Sequence, residues 1–333
     1  MPEVFKALLN PDAYPEKPEK INLIQTHISW IFLTGKYAYK VKKPVNFGFL
    51  DFSTLRKRKL YCEREIYLNR MLSPDVYLDV VPIRESGGKI KIGGKGKVVE
   101  YAVKMLELPQ DSLMSRLLSN GKLKREKVGE LARIVADFHR KTESGKWMDR
   151  YGKPETIAFN WKENFIQTES FSGKLVSPQD FGFLKERMRV FIKENEGVFS
   201  RRIKEGVIKW CHGDLHSGNV FIGDKIRVFD AIEFNPRIAC SDVASDVAFM
   251  AMDLDFHKRE DFSRHFLEKY YDCSGREIPS NLIDFYKCYR SYVRFKVLGI
   301  KSFDQNVPMK ERKMAEGLAK NYFSLALEYA KRL

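Results

Sequence analysis

Hydrophobic positions near the start of the chain fall into short β-branched and aromatic runs. Residues 21–26, 30–34 and 37–42 each read as a strand, with Gly35-Lys36 turning the second into the third. Alternation within residues 37–42 sets Tyr37, Tyr39 and Val41 on one face and Ala38, Lys40 and Lys42 on the other. A helical spacing follows Phe52-Ser53-Thr54, with Leu55, Leu60, Tyr61, Ile66, Leu68 and Leu72 as its apolar members. Residues 88–92 and 98–104 give two more strands around a glycine-rich turn. From Met105-Leu106-Glu107-Leu108 onward the period becomes helical. Residues 127–141 are strongly amphipathic, residues 155–205 hold aromatic-rich helices, and 261–271, 282–297 and 310–329 complete the series. One hairpin interrupts the helices, residues 220–222 and 226–229 around Gly223-Asp224-Lys225. The run 242–252 is apolar nearly all round and is expected to be buried. The pattern predicts an α+β chain. Residues 1–105 form a small antiparallel sheet with one helix, and residues 106–333 form a larger, mainly helical lobe.

Composition bounds this picture. The 333 residues, 44% hydrophobic and 31% charged, suit a globular protein with a sizeable core. The net charge of +15 is spread along the chain, which suits an enzyme handling anionic nucleotides as well as a nucleic-acid binder. No aromatic-interleaved basic motif supports nucleic acid. The five cysteines form no CxxC pair, the start lacks the pattern of a signal peptide, and no apolar run approaches a membrane span. A soluble, cytoplasmic protein with reduced thiols is expected.

The candidate chemistry lies in residues 211–233. Asp214 is followed by Asn219 and, past the hairpin, by Asp230. A loop feeding a hairpin can hold three polar groups at one mouth, an arrangement that suits phosphoryl transfer. One carboxylate orients an attacking hydroxyl, while an amide and a second carboxylate hold Mg²⁺ on nucleotide phosphates. His212, Asp214 and Asn219 fit the kinase pattern H-x-D-x-x-x-x-N. Lys40 on a strand and Glu65 on the following helix match the pair that kinases use to hold the α- and β-phosphates. Backbone groups of Met105 and Leu106, where the chain leaves the sheet, are candidates for an adenine edge. Residues 93–97 only resemble a phosphate loop, since their context is strand-turn-strand. Cys211, His212, Asp214 and His216 lack the second ligand pair of a zinc site, and the hydrolase motif G-x-S-x-G is absent. His139 reads as a core or capping group. Asn160 and Asn164, four apart, either face a substrate or cap a helix, and Arg290 and Arg294, four apart on one helix face, form either a solvated basic face or an anion site for the acceptor.

The segment from His212 to Asn219, with Phe229-Asp230 and Glu233, resembles the aminoglycoside phosphotransferase and choline kinase-like family. The match extends to Tyr39-Lys40, Glu63-Arg64-Glu65 and Phe138-His139. Residues 25–30 and 42–53 are similar to a branch of uncharacterised bacterial and archaeal members. The resemblance implies a two-lobe protein-kinase-like fold that uses ATP (or GTP) and Mg²⁺. By position, Asp214 orients the acceptor hydroxyl, His212 supports the loop, Asn219 and Asp230 bind Mg²⁺, and Lys40 holds phosphates, paired with Glu65. The family's loop-anchoring Asp falls on Asp242 by spacing, although Asp246-Val-Ala-Phe looks similar; Asp242 is favoured. No G-x-G-x-x-G lies between the first strands, so residues 25–29 must cover the phosphates, with the Ser29 hydroxyl as the candidate contact. Glu233, Arg290 and Arg294 are the acceptor-site candidates.

Only residues 231–241 separate Asp230 from Asp242 and no A-P-E follows, which leaves no room for a peptide-docking activation loop. A small hydroxylated acceptor is therefore expected. The basic chain favours a neutral or anionic one over a polycationic aminoglycoside. The competing expectations are AMP transfer on the same metal residues and a non-catalytic nucleotide-binding protein.

Overall fold

The protein is described by a computed structural model covering residues 3–48 and 50–333. Phe49, within the run that resembles the uncharacterised branch, and Met1-Pro2 lie outside the described residues. The chain divides into two compact units, Met1–Leu117 with Gly218–Ala239, and Leu118–Ser217 with Cys240–Leu333.

The first unit is built on an antiparallel sheet of six strands: β1 (Asn22–Gln25), β2 (Ser29–Leu33), β3 (Tyr37–Lys42), β4 (Tyr77–Ser86), β5 (Lys89–Ile92) and β6 (Lys97–Leu106). Their order is β1-β2-β3-β6-β4-β5. The alternation in β3 sorts its residues as the sequence pattern predicts. Tyr39 and Val41 pack with Phe32, Ile83 and Ala102 beneath Phe5, Leu8 and Tyr14 of the N-terminal segment. Ala38 faces the other way, against Cys62 and Ile66 of the Leu55–Arg70 helix. Thr54 caps that helix by accepting the Lys57 N–H.

Strand β4 has no counterpart among the strands expected from the pattern. Asp79 and Pro82 interrupt its apolar alternation, and proline cannot donate to a ladder. The register with β6 shifts twice, between Tyr77 and Asp79 and between Ile83 and Arg84, while Pro82 stays in register with Tyr101 and its carbonyl accepts the Gly93 N–H on the β5 side. Residues 218–239 also depart from the expected single division near residue 105. Their hairpin, β8 (Val220–Ile222) and β9 (Ile226–Val228), is tied to the first unit by side chains. Ser73 Oγ donates to Val228 O, and Arg227 pairs with Asp75. Periodicity carries no signal for such long-range bonds.

The second unit is helical apart from a two-stranded ribbon of β7 (Ile208–Trp210) and β10 (Cys240–Asp242). At its centre the Val243–Phe256 helix is buried from Val243 through Asp255, as its apolar composition predicts. The Ser280–Phe303 and Met309–Ala330 helices pack along each other through Phe295 and Phe323, and Ser291 Oγ donates to Tyr322 O. Trp161, Phe165, Phe285 and Tyr292 form an aromatic core between the Pro154–Thr168 and Ser280–Phe303 helices. Among the described residues no helix is long and apolar enough to cross a membrane.

Candidate active site

In the first unit the polar residues of β3, the Leu55–Arg70 helix and the segment after β9 meet in one buried network. Lys40 Nζ donates to Glu65 Oε1 at 2.8 Å and to Asp230 Oδ1 at 2.5 Å. Lys42, two residues along the same face of β3, donates to Glu65 Oε2 at 2.7 Å and to Glu233 Oε1. Glu65 is fully buried. Burial alone would raise its carboxyl, but the two ammonium groups pull it down to about 2. Opposing carboxylates likewise outweigh the burial of Lys40 and Lys42 and hold both ammonium groups above the ordinary lysine range. The Asp230 end of the network is the most open to solvent, with its side chain 48% exposed.

Asp230 sits in the left-handed region at φ 65°, a conformation that Asp tolerates better than most residues. Its N–H donates to the Tyr77 hydroxyl and the next N–H, of Ala231, to Asn69 Oδ1. The Phe229 N–H donates to Asn219 O at 3.1 Å, so Asn219 and Asp230 flank one mouth of the β8–β9 hairpin. An Asn amide oxygen and a half-exposed carboxylate are hard oxygen donors of the kind Mg²⁺ takes.

The remaining candidates in this unit are more enclosed. Ser29 is buried opposite Lys42 in β2, and its hydroxyl has no hydrogen-bond partner among the described residues. Thr26 Oγ1, which sequence reasoning missed, accepts from the Ile28 and Ser29 N–H groups and shapes the turn before β2. Met105 packs its side chain into the helix-side core. The Leu106 N–H donates to Val76 O and the Glu107 N–H to Lys36 O. Those two donors are spent inside the unit, so any base-edge contact there needs other backbone groups.

In the second unit the start of the loop 211–217 hangs on a buried carboxylate. Asp246 accepts from the His212 N–H at 2.6 Å and from the Gly213 N–H at 2.9 Å. This corrects the preference for Asp242. That residue caps its own helix through the Ala244 N–H and takes a bidentate ion pair from Arg202, at 2.8 and 2.7 Å. The two aspartates are one helical turn apart, so spacing alone does not separate them. His139, expected as a core or capping group, bridges Asp246 and the Tyr270 hydroxyl. His139, Asp246 and Cys211 approach one another within 4.8 Å, but the first two are engaged in these hydrogen bonds and burial pushes the Cys211 thiol up, away from the thiolate a metal needs.

Arg290 is also a loop support. Its guanidinium donates to Gly213 O and Ser245 Oγ and lies over the Phe249 ring. Gly213 at φ 83° takes the backbone conformation that lets the loop meet both Asp246 and Arg290. His212 Nδ1 accepts from the Asp214 N–H, and the Ser217 N–H donates to Asp253. Held this way, Asp214 keeps its side chain 41% exposed. Partial enclosure would raise its carboxyl, but His216, with Nε2 at 3.5 Å from Oδ2, and Arg294 hold it well below the usual carboxylate range. It is an ionised, accessible base candidate on a fixed backbone. Of the helix polar residues, Arg294 packs over Tyr322, and Asn164 is buried and accepts from Lys296 Nζ.

A curled antiparallel sheet with its helix, a helical second unit and this loop together define the class: a two-lobe, protein-kinase-like α+β fold. More particularly, it is the fold of choline/ethanolamine kinase-like and aminoglycoside phosphotransferase structures. The chain resembles a choline/ethanolamine kinase family protein from Mesorhizobium loti with a TM-score of 0.54 at 11% identity, covering 99% of each chain. It also resembles a microcompartment-associated aminopropanol kinase, with a TM-score of 0.52 at 13% identity, covering 99% of this chain and 98% of that one. A spectinomycin phosphotransferase in complex with ADP and spectinomycin gives a TM-score of 0.50 at 13% identity, over 95% of this chain and 94% of that one. No protein-family model matches the chain. In sequence it is 32% identical over 300 residues, 89% of its length, to uncharacterised proteins of Mycobacterium tuberculosis (strain H37Rv) and Mycobacterium bovis. The chain spans 58% of the length of these relatives.

Proposed function

We propose that the chain is a small-molecule kinase that moves the γ-phosphoryl group of ATP to a hydroxyl of a neutral or anionic acceptor. The observation that carries this reading is Lys40 bridging Glu65 and the half-exposed Asp230, a strand lysine held by a helix glutamate as in the phosphate-holding pair of kinases. Small-molecule kinases among the solved structures of this fold support it.

In this reading Asp214 aligns the acceptor hydroxyl and takes its proton. A bond forms from the acceptor oxygen to the γ-phosphorus as the bond from that phosphorus to the β-phosphate oxygen breaks, and ADP leaves. Lys40, held by Glu65, fixes the α- and β-phosphates. Asn219 and Asp230 would hold Mg²⁺, whose charge would offset that of the phosphate oxygens. The short exit over residues 231–241, occupied by the Pro236–Ala239 helix and part of β10, favours a small acceptor over a peptide. The net charge of +15 disfavours a polycation. Five free thiols support a reducing, cytoplasmic setting.

The test is a metabolite screen read by phosphorus NMR with Mg²⁺ and ATP. Phosphate on a hydroxylated acceptor, lost in Asp214→Ala and Asp230→Ala, is the expected result. AMP on the acceptor would replace this reading with nucleotidyl transfer.

A further inference from the structure

The buried network contains more than the Lys40–Glu65 pair requires. Lys42 Nζ occupies the second oxygen of Glu65 and binds Glu233, and the side chains of Lys42 and Glu233 are 1% and 3% exposed. Burying an ion pair this deeply is expensive unless its geometry is well satisfied, so it is weak evidence for stability alone. Its position suggests another role. Glu233 lies three residues past Asp230, on the far side of the turn that presents Asp230. That turn is fixed at its near side by the Phe229, Asp230 and Ala231 N–H groups, which donate to Asn219 O, Tyr77 Oη and Asn69 Oδ1. Beyond Glu233 the Phe234 ring meets Phe52 edge-on, and Lys42 Nζ lies 4.9 Å from the centre of the Phe52 ring.

We propose that Lys42 and Glu233 are a positioning pair, a latch that clamps the far end of the 230–233 turn to β3 and so presets the Asp230 carboxylate for a divalent cation. Glu233 is thereby neither a metal ligand nor an acceptor-site residue. Glu65 is the hub. One oxygen orients the phosphate-holding Lys40 and the other orients the latch lysine, so strand, helix and turn are fixed through one carboxylate. The inference rests on the assignment of Asp230 to metal binding.

The test uses the full chain and the double variant Lys42→Met/Glu233→Gln, which removes one positive and one negative charge and leaves the net charge of the cluster unchanged. Two measurements are made: amide hydrogen exchange over residues 229–234 without nucleotide, and the Mg²⁺ concentration at half-saturation of ATP binding by calorimetry. The latch predicts faster exchange in this segment while the rest of the sheet stays protected. It also predicts a Mg²⁺ midpoint raised about 10- to 100-fold, the range typical of residues that orient a metal ligand. ATP affinity in EDTA should be nearly unchanged. Glu233→Asp keeps the charge but shortens the reach. It should shift both readouts in the same direction, and it serves if the double variant does not fold. Unchanged exchange at residues 229–234, or a lowered melting temperature with an unmoved Mg²⁺ midpoint, would overturn the latch and leave the pair a structural one. If the wild-type chain shows no Mg²⁺-dependent ATP binding, the assignment of Asp230 fails, and the exchange measurement still judges the latch.

Discussion

At the scale of single residues, Asp214 and His216 set each other's charge. Burial alone would lower His216, but Asp214 and Asp253 outweigh it and raise the imidazole above its ordinary 6.5, with Arg294 pulling the other way. A raised folded-state value stabilises the fold fully below the unfolded value, and the contribution is lost as pH rises through the folded one. NMR titration should therefore place the His216 midpoint above 6.5 and show it fall in Asp214→Asn. An unshifted midpoint in that variant would contradict the coupling. The Asp214 carboxyl is depressed, so its contribution runs the opposite way: present above the unfolded carboxylate value and lost as pH falls.

At the scale of elements, the Val243–Phe256 helix is the spine of the loop, and its two aspartates differ in what they hold. Asp246→Ala strips the His212 and Gly213 N–H groups of their acceptor and removes one of the two partners that His139 bridges. Losing one member of such a buried network costs about 3–5 kcal/mol by denaturant unfolding. Asp242→Asn should also destabilise, through Arg202, while leaving both loop N–H groups bonded, so exchange at residues 212–213 should separate the two variants. Sequence reasoning reached this helix from its apolar composition but not the assignment within it. Two carboxylates one turn apart look equivalent until the loop they face is in place. Lys40 and Glu65 were legible because kinases set a strand lysine against a helix glutamate. The role of Lys42 was not, because an extra lysine in a basic chain resembles any solvated charge. Strand β4 was hidden by Pro82 and Asp79, which interrupt its apolar alternation.

For the whole molecule, the division of the chain carries its own consequence. Asn219, Asp230, Lys40 and Glu65 belong to one compact unit and Asp214 to the other. Nucleotide binding and acceptor activation are thus expected to be separable by mutation. Asp214→Ala should keep Mg²⁺·ATP binding, whereas Asp230→Ala should lose it. In a thermal melt, nucleotide at about 100 times its Kd adds about 2.7 kcal/mol to the folded state. The melting temperature of wild type and Asp214→Ala should rise by several degrees with Mg²⁺·ATP, and that of Asp230→Ala should not. Equal shifts in all three would detach Asp230 from the nucleotide.

The most direct test of the central claim is phosphorus NMR of wild-type chain with ATP, Mg²⁺ and a panel of hydroxylated metabolites. ADP together with a new phosphomonoester on a neutral or anionic acceptor is expected, with both absent in Asp214→Ala. No ATP binding or turnover with Mg²⁺ present, or AMP on the acceptor in place of phosphate, would contradict it.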